Sequence, residues 1–262
     1  MLLAFTRAVP PSIDRCELTH LQRTVIDAQL AGAQHERYEA LLSRLGCDVR
    51  RLDPTPDLPD SVFVEDTAVV LDQLAVVARP GASSRRDETT SIAEALRPYR
   101  ELHHIRPPAT LDGGDVLRVG QRLFVGISAR TTKEAVRQIE DAVKPFGYSV
   151  QSVEVRECLH LKSAVTAVAD DLLLVNPAWV DDRIFEGLDT IDVDPEEPFA
   201  ANVLRIGDEL VCAEASSRTI ETLRARGFVV HTVDMSELAK AEGGVTCCSV
   251  LCYVSARAFK AA

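Results

Sequence analysis

The sequence is most informative first for what it lacks. It has no apolar run near the roughly 20 residues that span a bilayer, so no membrane-spanning helix is expected. The opening segment Met1–Pro11 carries no basic stretch ahead of an apolar core, so export is not expected and the cytoplasm is the expected compartment. Nor is there a cluster of Lys and Arg with interleaved aromatics. Acidic residues outnumber basic ones 40 to 29, and the net charge of −11 repels phosphate backbones, so nucleic acid is not an expected partner. The seven cysteines are odd in number and show neither disulfide-framework spacing nor a Cys-x-x-Cys pair, which fits free thiols in a reducing compartment and argues against a thiolate zinc site. Linkers and low-complexity segments are also missing, so residues 1–262 are expected to form one domain.

What is present is a unit repeating about every fifty residues: an apolar strand, a short polar break, a second apolar strand, then an amphipathic helix and a further strand. The first strands begin at Phe63, Asp115, Ala164, Asn202 and Val245. The fifth copy has no return strand after it, and Leu2–Phe5 is the natural candidate to supply one and join the two ends of the chain. Residues 132–143 and 217–227 have helical spacing of apolar positions, the second stopping on Gly227. A cyclic arrangement hides strand edges, so the expected fold is α/β: a five-bladed α/β propeller of ββαβ repeats with pseudo-fivefold symmetry. An open mixed α/β sheet would use the same elements.

Four segments carry chemistry. Pro59–Asp66 places Asp60, Glu65 and Asp66 at and inside an apolar strand; the bland reading is a solvated edge or pairing with Arg. In Leu111–Val116 two glycines sit between Asp112 and Asp115, which a turn alone would explain. Leu159–Ser163 holds His160 between leucines, a context in which a structural His is commoner than a catalyst. Glu242–Leu251 holds adjacent Cys247 and Cys248; strand alternation would bury Cys248 and Cys252 with Val250 and turn Cys247 to the other face with Ser249. Because these segments hold corresponding places in four repeats, a radial fold would bring Asp66, Asp112, His160 and Cys247 together.

In order along the chain, Phe63–Val70, Ala78–Arg86, Leu111–Leu117, Leu159–Ser163 and Thr246–Leu251 resemble the strings of dimethylarginine dimethylaminohydrolases, members of the guanidine-modifying (pentein) superfamily. The resemblance implies the same five-bladed fold and hydrolysis of methylated arginine, a small-molecule substrate, to citrulline and a methylamine through a covalent Cys intermediate. It makes Cys247 the nucleophile, His160 the general acid and base, and Asp112 the group that orients the His. Asp60, Glu65 and Asp66 match substrate-binding acids, with Asp66 on the guanidinium. A regular strand would send Glu65 and Asp66 to opposite faces, so contact by both requires a twist or bulge. Arg85 and Arg130 match the pair on the α-carboxylate, and Leu18 and Ala241 match backbone contacts to the amino-acid end. The family often has Val then Asp where this chain has Ala241 and Glu242. The resemblance implies no metal and no cofactor, and it leaves a homodimer open. The alternatives are another guanidine deiminase or hydrolase of the superfamily, or a catalytically silent binding module. The chain has no room for the helical insertion of arginine deiminases, and agmatine would leave Arg85 and Arg130 without a purpose.

Overall fold

A computed structural model describes residues 1–254; residues 255–262 of the expected domain lie outside the described part. Along the chain come β1 (Leu2–Thr6), α1 (Ala28–Arg44) and β2 (Cys47–Arg51), then β3 (Ala68–Val70), β4 (Leu74–Val77), α2 (Thr89–Leu96) and β5 (Glu101–His104). Next are β6 (Val116–Val119), β7 (Arg122–Ile127), α3 (Lys133–Val143) and β8 (Ser149–Glu154), followed by α4 (Leu161–Ala164), β9 (Val165–Ala167), β10 (Leu172–Val175) and β11 (Asp189–Asp192). The last stretch holds β12 (Leu204–Ile206), β13 (Glu209–Ala213), α5 (Ser217–Ala225), β14 (Val229–Val233), α6 (Ser236–Ala239) and β15 (Val250–Tyr253). Among the described residues these strands form five separate three-stranded sheets, not one open sheet.

Four of the five sheets are built the same way, and in the other the antiparallel pair is made by β1 and β15 from the two ends of the chain. A tight antiparallel hairpin supplies two strands, as in β6 and β7, and a crossover brings the third in parallel to the second, as β8 lies on β7. Gly120 and Gly207 take positive φ at two of the hairpin turns, a conformation open to Gly because it has no Cβ. Helix α3 starts where Thr132 accepts from the Ala135 N–H; of the four apolar positions its spacing singles out, it buries Ala135, Ile139 and Val143 and half-buries Val136. The expected joining of the ends is observed: Leu2–Phe5 of β1 pairs antiparallel with Val250–Tyr253 of β15.

The middle strand of each sheet is buried on both faces, which is why it reads as a continuous apolar run. Its residues alternate between two cores. On β1, Leu2 and Ala4 pack with β12 and β13, while Leu3 and Phe5 pack with β3 and β4. On β7, Leu123 and Val125 face β4, and Phe124 faces β10. On β10, Leu173 and Val175 face back to β7, while Leu174 faces β13. Every sheet therefore shares one core with the sheet before it and another with the sheet after it, and the fifth shares a core with the first.

The first strands are shorter than their sequence pattern suggests. β3 begins at Ala68, not Phe63, because Val64–Thr67 forms a 3₁₀ turn whose Thr67 hydroxyl donates to the Val64 carbonyl at 2.6 Å. Gly113–Asp115 is a second 3₁₀ turn ahead of β6, and α4 is a single helical turn ahead of β9. Residues 245–248, expected as strand, form turns before β15, so alternation does not govern Cys247. Cys248 and Cys252 are nonetheless fully buried.

Candidate active site

The short turn before a first strand presents four of the candidate side chains. Asp66 lies within the turn before β3, Asp112 caps the turn before β6, His160 caps α4 before β9, and Cys247 lies in the turn before β15. One pocket is lined by Asp60, Asp66, Arg85, Arg130, His160, Ala241 and Cys247 together. Asp112 sits behind His160 with no exposed surface.

His160 is held at both ring nitrogens. Its Nε2 lies 3.1 Å from Asp112 Oδ2, and its Nδ1 lies 3.5 Å from Asp66 Oδ1. Burial alone would push this imidazole down, but Asp66, the hydrogen bond to Asp112 and the charge of Asp115 carry it up to about 9. The ring is therefore an imidazolium at neutral pH. Asp66 is the converse case: burial opposes its charge, and His160 and Arg85 overcome that to hold it down at about 2. Asp112 is itself fixed by the Gly81 N–H, which donates to Oδ1 at 2.8 Å. Asp66, Asp112 and His160 offer ligand atoms within 4.8 Å of one another, a donor set a divalent ion would accept; the imidazolium proton already balances the two carboxylates there.

The paired glycines of the second turn allow this approach. A Cβ on Gly114 would lie 2.6 Å from His160 Nδ1 and 2.7 Å from Asp66 Oδ1, and one on Gly113 would collide with the Glu65 carbonyl. The bare Gly114 N–H instead donates to Asp66 Oδ1 at 3.1 Å.

Glu65 and Asp66 part company in their turn. A 3₁₀ turn separates consecutive side chains by about 120°, and Glu65 points out of the pocket. There it accepts from Lys162 Nζ at 2.6 Å and from the Thr246 hydroxyl at 2.7 Å. Its own N–H donates to the Cys247 carbonyl, so it braces the cysteine turn from behind.

Cys247 is part-exposed, and its Sγ accepts the Gly244 N–H at 3.3 Å. Burial, then the charges of Glu65 and Asp66, push the thiol up to about 12, against the pull of the Gly244 N–H and Lys162. A cation brought beside it would reverse that balance.

Arg85 is buried in a cage of acceptors. Nη1 donates to Asp66 Oδ2 at 2.6 Å, Nε and Nη2 to Glu88, and Nη2 to the carbonyls of Asp60 and Phe63. Pairing of the acid cluster with an Arg is thus real, and one Nη1 hydrogen remains to offer. Arg130 is less engaged; its Nη2 donates to the Thr19 hydroxyl at 3.0 Å. Asp60 accepts the Glu17 N–H at 3.1 Å. Leu18 lies between these two anchored neighbours, does not line the pocket, and packs its side chain against the core beside α1.

Two residues named in the sequence reading were given no site role there. Asp115 is fully buried; it accepts from the Leu161 N–H at 2.9 Å and the Ser128 hydroxyl at 2.7 Å, tying the His160 turn to the Arg130 loop. Asn202 stands before β12, the position in the fourth repeat that matches the other site residues. Its amide donates to the Lys162 carbonyl and the Thr246 hydroxyl, both at 2.9 Å, and accepts the Thr246 N–H at 3.1 Å. The repeat register was the signal that would have found it.

Residues 14–253 match the family model described as N,N dimethylarginine dimethylhydrolase, eukaryotic. A Streptomyces coelicolor protein named N(G),N(G)-dimethylarginine dimethylaminohydrolase is 39% identical over 249 residues, covering 94% of this chain and 95% of its own length. Its Pseudomonas aeruginosa namesake is 33% identical over 240 residues, covering 91% and 94%. A solved structure of a cysteine-to-serine mutant of the P. aeruginosa enzyme, complexed with citrulline, superposes with a TM-score of 0.90 at 32% identity, covering 95% of this chain and 98% of that one. With the match running through nearly the whole chain, the protein belongs to the dimethylarginine dimethylaminohydrolase family of hydrolases.

Proposed function

We propose that the chain hydrolyses Nω-methylated arginines, both dimethylarginine and monomethylarginine, to citrulline and the corresponding methylamine, on a single closed five-bladed propeller. The convergence of Cys247, the doubly held His160 and the lightly engaged Arg130 on one pocket supports this reading most strongly. It is further supported by the relatives' names and by the citrulline complex of the P. aeruginosa mutant.

Arg130, with the remaining hydrogen of Arg85, takes the substrate α-carboxylate, and the backbone around Leu18 and Ala241 meets the amino-acid end. Asp66 and Asp60 face the guanidinium. That cation, set beside Cys247, favours the thiolate, the thiol proton passes to water, and the thiolate attacks the guanidino carbon. As the Sγ–C bond forms, the C–N bond to the methylated nitrogen breaks. The electron pair leaves with nitrogen, which takes its proton from His160 because the amine departs only as a neutral molecule. A cationic thiouronium remains on Cys247. Neutral His160 then removes a proton from water, whose oxygen adds to the carbon; the thiolate leaves and takes up the remaining hydroxyl proton, giving citrulline and the Cys247 thiol. Glu65 contributes by bracing the Cys247 turn and does not touch substrate.

Incubation with Nω,Nω-dimethylarginine should yield citrulline and dimethylamine in equal amounts, and Cys247→Ser should yield neither. Citrulline without dimethylamine, or none from any guanidine, contradicts the assignment.

A further inference from the structure

We infer that a second chamber beyond Cys247 is a subsite for the substituent on the terminal guanidine nitrogen, so that arginines with Nω-alkyl and Nω-aryl groups well larger than methyl are substrates. This deepens the function proposed above and rests on it. A cavity of about 490 Å³ adjoins the charged pocket at the cysteine turn, where Glu242, Gly243 and Cys247 line both. The nucleophile therefore stands in the wall between two chambers.

The chambers differ in polarity. The first is lined by Asp60, Asp66, Arg85 and Arg130, which suits a zwitterion carrying an extra cation. The second is lined by Leu21, Phe199, Ala215, Met235 and Ala239 among others. Phe199 is 53% exposed yet is steadied edge-on against Trp179, with ring centroids 5.0 Å apart. The charges at the border are already engaged. The Glu242 carboxylate accepts the N–H groups of Thr19, His20 and Leu21, and Lys240 pairs with Glu237 at 2.8 Å. What they leave is a surface whose burial favours hydrocarbon.

Position makes the chamber relevant to the leaving group. It reaches Ser163, whose N–H bonds the His160 carbonyl at 3.0 Å, so it borders the turn that holds the acid. A guanidine carbon at Sγ, with its amino-acid end in the first chamber, directs its far nitrogen toward the second. The chemistry is unchanged: the Sγ–C bond forms, the C–N bond breaks, and the substituted amine leaves with a proton from His160.

The test is kcat/KM for citrulline release from Nω-methyl-, Nω-propyl- and Nω-benzyl-L-arginine. The larger substrates should fall within about tenfold of the methyl compound. Ala215 and Ala239 are exposed side chains of the chamber wall, outside the catalytic groups. Ala215→Phe and Ala239→Phe should each cut propyl and benzyl turnover about tenfold or more, and leave methyl turnover within about threefold. Turnover of the methyl compound with none of the propyl or benzyl overturns the subsite alone. So does an equal loss on all three substrates in both variants. Failure on all three with wild-type protein overturns the parent reading as well. Should either variant not fold, the wild-type series alone decides.

Discussion

The imidazole of His160 and the carboxylate of Asp112 meet at 3.1 Å in a space closed to solvent, with Asp66 on the ring's other nitrogen. Each ring nitrogen faces a different carboxylate, and against the pull of burial the charge of Asp66 and the hydrogen bond to Asp112 raise the imidazole to about 9. Leaving-group protonation requires the charged form, so kcat/KM should decline as pH rises through about 9. A pH profile with a methylarginine shows it. His160→Gly assayed with an activated leaving group should lack that limb, and persistence of the limb there would assign it to another group.

The same proton links folding to pH. A His whose folded pKa lies above its ordinary 6.5 contributes stability that is complete below 6.5 and is lost as pH rises toward 9. Melting temperature should therefore drop across that window in wild-type protein, and His160→Asn should flatten the drop. Asp66, held down at about 2, works in the opposite direction: its contribution is present above about 4 and is lost as pH falls toward 2.

His160→Gly should lower the rate on methylarginine by about 10² or more, the usual contribution of a positioned acid. An analogue that leaves readily should recover part of it. Equal losses on both substrates would remove His160 from the acid role.

Arg130→Ala should raise KM for methylarginine by about 10- to 100-fold with little change in kcat, because the carboxylate is bound alike in the ground and transition states. The decarboxylated analogue should be indifferent. A matching loss on that analogue would make Arg130 a structural residue.

Much of this was legible in the sequence. Continuous apolar runs such as Leu172–Val175 announce strands buried on both faces, and the fifty-residue register brings Asp66, His160 and Cys247 to one pocket. The turns were not legible. Phe63–Val70 has the composition of a strand throughout, and only the tertiary bond from the Glu65 N–H to the Cys247 carbonyl and the local Thr67 to Val64 bond select a 3₁₀ turn over Val64–Thr67. That turn decides that Asp66 faces the pocket and Glu65 does not. The caging of Arg85 was hidden for a similar reason, since its acceptors come both from Glu88 in its own turn and from Asp60, Phe63 and Asp66 about twenty residues earlier.

Asn202→Ala should reduce kcat about 10- to 100-fold with KM little changed, because it frees the Thr246 N–H and lets the cysteine turn drift. Asn202→Asp keeps the acceptor for that N–H and should recover part of the rate. A purely structural role would lower melting temperature without this split or this rescue.

Steady-state kcat/KM for methylated arginine, free arginine and agmatine tests the central claim most directly. Methylated arginine should be the best of the three. Arginine should follow by a finite margin, since a methyl-sized difference is worth only about 1–3 kcal/mol. Agmatine should be poorest, because Arg130 would lose its carboxylate partner. Arginine as the best substrate would place the chain among the deiminases, and turnover of none would contradict a catalytic pocket.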